Sequence, residues 1–388
     1  MGITQILFKL QNMLEAKQDA AFRIPVSKQK AYLTRFPEPK DDITRGYYQY
    51  RCQAMMRGRF LNSMISVASF PVTLLMMFKY RRANAPEKAE SCENRAVLFR
   101  DGKPANIVPT VVRNEFSDFV EDPIEGNYLR KEDLAFLWEL ICRYPLSWQF
   151  ALKCTIKVAR YRYALEKYGP KALIVCNEYS FTSSVLTEFC TRNNVELVNV
   201  MHGDKGYNIR DSFFRFHRCY VWGENYVHLL EKMRAAKGQF HIEVPNSLRF
   251  SVEQKPEQSY DYTYYFGGED KKEMEFVCKT LLTLREKGKR IKIRPHPRYT
   301  DMQALQNVCG DIPVESCAEV SIEMSVLQSK AVISQFSTVM LQAYYNGITV
   351  VLDDMTNPEQ HAKLRELECP LLNLEHRLLS KEVEEAYA

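Results

Sequence analysis

The residues with the strongest chemical character lie late in the chain, in the stretch KRIKIRPHPRYTD at residues 289–301. A short apolar strand ends there at Arg294, and His296 follows between two prolines, with Arg298 directly after them. Proline fixes its own backbone and restricts the residue before it, so the imidazole is held beside two guanidinium groups. Imidazole and guanidinium N–H groups bind anionic oxygens well. The stretch therefore predicts an anion site.

Two further strand ends in this half of the chain carry residues that suit an anion. Gly267 and Gly268 follow the predicted strand YTYYF, while Ser334, Ser337 and Thr338 end or follow the predicted strand KAVIS. Glycine lets a backbone approach a ligand closely, and hydroxyl and N–H groups at a helix start bind anions. Each feature alone also fits a turn glycine or a helix cap. Their occurrence at consecutive strand ends, where ligands of parallel sheets bind, favours a cationic, hydroxyl-lined site the size of a phosphate.

An earlier part of the chain offers acids and an imidazole at comparable positions. Asn177 and Glu178 follow the predicted strand ALIVC, and His202, Gly203 and Asp204 follow the predicted strand ELVNVM. A carboxylate or imidazole at such a strand end can act as a general base. Glu178 also fits an acid that complements a helix dipole, and His202 also fits a structural turn. Glu178, or Asp204, is the expected base.

The elements that would position these residues alternate between helix and strand from about residue 130 onwards. Short apolar strands between helices predict parallel sheets covered on both faces. A polar stretch with prolines, residues 244–261, interrupts the alternation and is typical of a linker. The fold class predicted is therefore α/β, with two Rossmann-type domains facing across a cleft.

Composition narrows the class of protein. The 388 residues carry a net charge of +5, which is too weak to indicate nucleic-acid binding. The eleven cysteines are scattered without a C-x-x-C pair, and the amphipathic stretch at residues 1–22 has no signal-peptide pattern. Free thiols in a reducing cytoplasm are expected.

One segment has no charge, FLNSMISVASFPVTLLMMF at residues 60–78, and basic residues lie on both sides of it. It fits a buried helix, or a helix that lies in the headgroup layer with its basic flanks on anionic lipid. Basic residues on both sides disfavour a membrane span. The first two interpretations stay open from sequence alone.

Two pairs of motifs resemble known enzymes. RPHPR, followed some forty residues later by SQFSTV, resembles the HP and Ser/Thr motifs of bacterial sialyltransferases and related capsule glycosyltransferases of GT-B fold. The segments CNEYS and VNVMHGDKGYNIRDSFFRFHRCYVWG are similar to a region of bacterial surface-polysaccharide transferases, which include Kdo transferases and the polyol-phosphate transferases of teichoic acid synthesis. The resemblance covers roughly residues 170 to 355.

The resemblance implies roles for individual residues. In those sialyltransferases the histidine of the HP motif and the hydroxyls of the Ser/Thr motif hold the phosphate and ribose of a CMP leaving group. His296, Ser337 and Thr338 occupy the matching positions. The acidic motif that supplies the family's base is not present in its usual form, and residues 177–178 and 202–204 are its substitutes.

The predicted function is thus a glycosyltransferase that moves an acidic sugar, sialic acid or a Kdo-like relative, from a CMP-sugar to a glycan or lipid-linked glycan acceptor of a capsule, lipooligosaccharide or related surface glycan. The alternatives are a polyol-phosphate transferase that uses CDP-glycerol or CDP-ribitol, and a non-catalytic membrane-docking subunit of a polysaccharide assembly complex. No D-x-D sequence occurs, so we expect no metal, no other cofactor, and activity that persists in excess EDTA.

The start of the alternation near residue 130 and the linker after residue 244 set the predicted domains, and the resemblance implies the roles of the second and third. Residues 1–130 form a helical, membrane-associating region that leads into the first domain, residues 131–245 the acceptor-side domain, and residues 246–388 the nucleotide-binding domain. We expect an anionic membrane surface as a partner, and a cytoplasmic location, peripheral on the inner face of the plasma membrane.

Overall fold

The computed structural model describes residues 24–99, 105–252 and 256–387, apart from the side chains of Arg57, Arg59, Phe60 and Ala105. The amphipathic stretch at residues 1–22 lies outside these ranges. The chain divides into two compact units. Unit 1 contains the chain up to His202 together with Tyr207–Glu243, and unit 2 contains Gly203–Gly206 and the chain from Val244 onwards.

Unit 1 combines helices with six strands. Its described helices are α1 (Val26–Leu33), α2 (Asp42–Arg57), α3 (Arg59–Arg81), α4 (Thr110–Asn114), α5 (Lys131–Arg143), α6 (Trp148–Tyr168), α7 (Ser183–Arg192) and α8 (Glu224–Lys232). Its strands are β1 (Arg95–Phe99), β2 (Asp118–Asp122), β3 (Ala172–Val175), β4 (Glu196–Val200), β5 (Arg218–Val221) and β6 (Phe240–Ile242).

Unit 2 repeats the alternation with five strands. Its described helices are α9 (Lys271–Glu286), α10 (Met302–Val308), α11 (Ile322–Leu327), α12 (Thr338–Tyr345), α13 (Pro358–Glu366) and α14 (Leu379–Tyr387). Its strands are β7 (Tyr260–Tyr265), β8 (Ile291–Arg294), β9 (Ser329–Ser334), β10 (Thr349–Leu352) and β11 (Arg377–Leu378).

Every strand pair in the two sheets is parallel. The strand order is β2-β1-β3-β4-β5-β6 in unit 1 and β11-β10-β9-β7-β8 in unit 2. In both sheets the first strand lies between the second and the third, so the direction of winding reverses beside it. Right-handed crossovers then place helices on both faces of each sheet. The prediction of two Rossmann-type α/β units is confirmed.

The central strands are buried because both faces of each sheet are covered there, whereas the edge strands β2, β6 and β11 are partly exposed. In unit 1 every residue of β1 and β3 is buried, and apolar residues of β1, β3, β4 and β5 share one core cluster. In unit 2 the corresponding cluster joins β7, β8 and β9 to α9. The polar residues that follow these strands are therefore held at the edge of a rigid sheet, which is what a site requires.

Candidate functional sites at the carboxyl edges of the two sheets

The loop after β8 holds His296 through its own backbone. The His296 N–H donates to Thr300 Oγ1 at 2.7 Å, and that hydroxyl donates to the carbonyl oxygen of Gly267 at 3.1 Å, which joins the loops after β8 and β7. The Tyr299 ring stacks on the imidazole with 4.4 Å between ring centroids. The histidine predicted as the centre of the anion site is thus fixed by the Thr300 hydroxyl and the Tyr299 ring.

The hydrogen bonding of His296 also sets its tautomer. The backbone N–H of Arg298 donates to His296 Nδ1 at 3.1 Å, so in the neutral ring the proton lies on Nε2. Burial and the charge of Arg298 lower the pKa of His296. Near neutral pH the imidazole therefore presents Nε2–H as a donor, which suits a phosphate oxygen.

Arg294 lies differently from the predicted phosphate-binding cation. Its guanidinium is buried, donates to Glu315 Oε2 at 2.5 Å and to the carbonyl oxygen of Val320 at 2.9 Å. Lys292 of the same strand also pairs with Glu315. Arg294 thus stabilises the strand through a buried ion-pair network, whereas Arg298 is exposed at the end of the loop.

The three hydroxyl residues predicted at the end of β9 have two different roles. The buried Ser334 hydroxyl donates to the carbonyl oxygen of Tyr265 at 3.0 Å and so joins β9 to β7. Ser337 is the N-cap of α12 and accepts from the Val339 N–H at 3.3 Å, while Thr338 is exposed in the first turn. The latter two lie where a helix N-terminus attracts an anion.

The two glycines after β7 lie between these loops. The Gly267 N–H donates to Glu269 Oε2 at 2.5 Å, and burial raises the pKa of Glu269. A Cβ atom added at Gly268 would meet open space. Because β7 separates β8 from β9, the loops that carry His296 and Ser337 are about two strand spacings apart, roughly 10 Å, which a phosphate with its ribose can span.

Unit 1 holds a buried carboxylate beside an imidazole. Glu178 follows β3 with a side chain that is only 2% exposed, and His202, 17% exposed, follows β4. Glu178 Oε1 lies 3.4 Å from His202 Nδ1. Asn199 of β4 donates from Nδ2 to Glu178 Oε2 at 3.2 Å, and its Oδ1 accepts from the Asn177 N–H at 2.8 Å. The carboxylate is therefore fixed between two adjacent strand ends.

Two glutamines of α2, which sequence reasoning missed, hold the backbone around Glu178 in place. Gln49 Nε2 donates to the carbonyl oxygens of Glu178 and Arg210 at 2.9 and 2.8 Å, and Gln53 Nε2 donates to that of Tyr179 at 2.8 Å. Both glutamines are buried. The sequence signal is the spacing of the two glutamines, four residues apart and so on one face of a helix.

Asp204 does not join this group. It belongs to unit 2, where its Oδ2 accepts from the Cys369 thiol at 3.4 Å and its Oδ1 accepts from the Lys205 N–H at 2.8 Å. Burial, together with the charge of Asp204, raises the pKa of Cys369. The predicted set at residues 202–204 is therefore divided, with His202 beside Glu178 in unit 1 and Asp204 beside Cys369 in unit 2.

Comparisons with known proteins add a fold similarity only. No family model matches the chain, and no curated protein matches it. Among solved structures it is similar to the glycotransferase of kitacinnamycin, with 10% identity over 74% of this chain and 86% of the other and a TM-score of 0.44. It is also similar to a UDP-GlcNAc 2-epimerase of Methanocaldococcus jannaschii, with 11% identity over 76% of this chain and 91% of the other and a TM-score of 0.41. A third similar structure is the calicheamicin glycosyltransferase CalG4, with 11% identity over 71% of this chain and 84% of the other and a TM-score of 0.40.

At this level of similarity the solved structures carry no argument about function. The residues themselves define the class: a protein with two doubly wound parallel units, each with polar groups fixed at the carboxyl edge of its sheet. The edge of unit 1 holds a buried acid–imidazole pair, and the edge of unit 2 holds donors suited to an anion.

Proposed function

We propose that the protein is a glycosyltransferase that moves an acidic sugar, sialic acid or a Kdo-like relative, from a CMP-sugar to a hydroxyl of a surface-glycan acceptor. Unit 2 holds the cytidylate, and unit 1 activates the acceptor. The observation that carries the proposal is the 3.4 Å approach of Glu178 Oε1 to His202 Nδ1, because a buried carboxylate against one ring nitrogen leaves the other nitrogen as a proton acceptor.

In this mechanism His202 takes the role of base that the sequence assigned to Glu178 or Asp204. The acceptor oxygen forms a bond to the anomeric carbon of the donor while its proton passes to His202 Nε2. The bond between that carbon and the phosphate oxygen breaks, and its electron pair leaves with CMP. Glu178, too buried to meet substrate, acts as a positioning residue that orients the imidazole and stabilises the imidazolium.

The donor side is supported by the hydrogen bonding of unit 2. The Nε2–H of His296 donates to a phosphate oxygen of the leaving group, and Arg298 supplies positive charge. Ser337 and Thr338 at the start of α12 add hydroxyl and N–H donors. Donors fixed before the reaction stabilise charge that develops on the departing phosphate.

A second candidate is a polyol-phosphate transferase that uses CDP-glycerol or CDP-ribitol. It is favoured by the presence of a histidine at a strand end in each unit, His202 and His296. Both candidates release CMP, so the co-substrate has to be varied.

Titration calorimetry of the full chain with CMP, CDP and UDP tests the nucleotide assignment. We expect CMP to bind at least tenfold more tightly than UDP. Incubation with CMP-sialic acid, CMP-Kdo, CDP-glycerol and CDP-ribitol, with CMP release as the readout, then separates the two candidates. Tighter binding of UDP than of CMP, or binding of none of the three, would overturn the assignment.

A further inference from the structure

Over residues 64–75 helix α3 has an inverted distribution of polar and apolar side chains, because its buried residues there carry hydroxyls and its exposed ones are mostly apolar. On its inner face Ser66, Ser69 and Thr73 are buried. Its outer face carries five exposed apolar residues, which we name the α3 stripe: Met64, Val67, Phe70, Leu75 and Phe78. Val67 is 74% exposed. A helix on a water-soluble protein normally turns its apolar face inwards, so the outer face is built for surroundings other than water.

The inner hydroxyls are satisfied within unit 1, so the inversion is a stable arrangement. Ser66 Oγ donates to the carbonyl oxygen of Leu146 at 2.8 Å and accepts from the Trp148 N–H at 2.9 Å. Ser69 and Thr73 donate to carbonyl oxygens one turn earlier in the helix, both at 2.7 Å. The face with the hydroxyls, which continues into the buried Met76 and Met77, is therefore the one that docks on the protein. Phe70 also contacts Trp148, and the rest of the stripe is left for another partner.

The positive charge at the end of α3 indicates that this partner is anionic. Lys79, Arg81 and Arg82 are exposed at the carboxyl end of α3. The guanidinium of Arg82 lies 4.0 Å from the centroid of the Phe78 ring, so cationic and apolar surfaces are continuous. No acidic residue occurs between Asp42 and Glu87 in the sequence. An apolar face that adjoins a purely basic cluster matches an anionic lipid surface.

We propose that the α3 stripe and its basic cluster dock the protein on an anionic membrane, with the helix lying in the plane of the headgroup layer. This proposal is independent of the catalytic one. The stretch Leu61–Arg81 is long and apolar enough to cross a membrane by length and composition, but two features of the helix oppose a span.

The first is attachment along the helix. Ser66 and Phe70 contact Trp148 at the start of α6, with 4.5 Å between the centroids of the Phe70 and Trp148 rings. The Tyr80 carbonyl oxygen accepts from the Leu129 N–H at 3.1 Å. Helix α6 carries Lys153, Lys157, Arg160 and Lys167 among its residues. A span would have to carry this charged helix into hydrocarbon or detach from it.

The second is Pro71 within α3. Proline has no N–H, so the carbonyl oxygen of Val67, four residues earlier, loses the donor that a regular helix would supply. On the outer face of a spanning helix that oxygen would meet hydrocarbon, which costs several kcal/mol for an unsatisfied group. In the headgroup layer, water satisfies it.

Sedimentation of the purified full chain with vesicles tests the proposal. We expect binding to vesicles of phosphatidylglycerol and phosphatidylcholine, and we expect Val67→Glu combined with Leu75→Glu to weaken it more than tenfold. Both side chains are exposed, so the folded protein tolerates the change, and circular dichroism checks this. The matched control is Phe276→Glu, which alters an exposed apolar residue of α9 in unit 2 and leaves binding unchanged.

The basic cluster gives a second, separable readout. Each Lys or Arg near an anionic surface contributes roughly fivefold in affinity, so Lys79→Gln, Arg81→Gln and Arg82→Gln together should weaken binding about a hundredfold. The triple variant should behave like wild type on pure phosphatidylcholine.

Three outcomes overturn the proposal. Vesicle binding that neither set of substitutions changes would remove α3 from the contact. A wild-type dimer in solution that the stripe substitutions convert to monomer, without vesicle binding, would assign the stripe to a second copy of the chain. Resistance of membrane-bound protein to alkaline carbonate extraction would indicate a span.

Discussion

The two units share a winding pattern and differ in what they place at the edge of the sheet. In each, the first strand lies between the second and third. The polar residues of unit 1 follow the neighbouring strands β3 and β4, on one side of the reversal, whereas those of unit 2 follow β7, β8 and β9, on both sides of it. Unit 1 places a buried carboxylate there, and unit 2 places an imidazole and hydroxyls on loops. One topology thus supports two kinds of chemistry, because function depends on the residues after each strand.

The difference extends to how each group is held. Glu178 is fixed from several elements at once, by Asn199 of β4 and through its backbone by Gln49 of α2. His296 is held within its own loop and by Thr300, which contacts the neighbouring loop. A buried pair suits a proton transfer that requires accurate geometry, whereas a loop with exposed donors suits a ligand that binds and leaves.

The largest expected effect comes from removing the imidazole of unit 1. His202→Gln keeps a polar side chain but cannot accept a proton, so kcat/KM for transfer should fall by about a hundredfold to ten-thousandfold. Steady-state kinetics measure this fall, with the donor substrate that the CMP-release experiment identifies. The matched control is His228→Gln, which changes an exposed histidine of α8. Unchanged kcat/KM for His202→Gln would remove unit 1 from the chemistry.

Stability should be most sensitive in unit 2, at the ion pairs of β8. Glu315→Gln leaves Lys292 and Arg294 buried without their carboxylate, and the free energy of unfolding should fall by about 3–5 kcal/mol. Urea denaturation measures it, and Glu319→Gln, on the same loop but exposed, is the control.

The same variant gives a pH dependence. Burial alone raises the pKa of Glu315, but hydrogen bonds from Lys292, Ser325 and Arg294 outweigh it, and the net pKa is lowered. The stabilisation is therefore complete above the ordinary carboxyl pKa and is lost as pH falls through the lowered one. Wild type and Glu315→Gln should converge in stability at acidic pH. A difference that persists below that range would contradict the ion-pair role.

The smallest effect is expected at the start of α12. Ser337→Ala removes the side-chain cap and should lower the free energy of unfolding by about 1 kcal/mol. Ser337→Gly should lower it by only about 0.3 kcal/mol, because glycine is itself a favourable N-cap residue. Thermal unfolding followed by circular dichroism distinguishes them. Equal stabilities of Ser337→Ala and wild type would show that the hydroxyl does not cap the helix.

The sequence predicted the sheets and their functional edges because short apolar strands between helices leave few other folds. It therefore placed Glu178, His202, His296 and Ser337 at strand ends, where the structure has them. The sequence did not predict which side chains these residues contact. Glu315 is 21 residues from Arg294, and nothing local in the sequence reveals that this acid neutralises the cation expected to bind phosphate.

Long-range contacts explain the other differences as well. Gln49 reaches Glu178 across 129 residues of chain, and Asp204 contacts Cys369 across 165. Side-chain pairs at such separations depend on how the elements pack, which periodicity does not encode.

We propose that unit 2 holds the nucleotide and unit 1 supplies the base. Calorimetric titration of CMP into wild type, His296→Ala and His202→Gln tests this division directly. We expect His296→Ala to bind CMP at least tenfold more weakly, because a hydrogen bond to a charged group is lost, and His202→Gln to bind it as wild type does. Weakened binding in His202→Gln with unchanged binding in His296→Ala would contradict it.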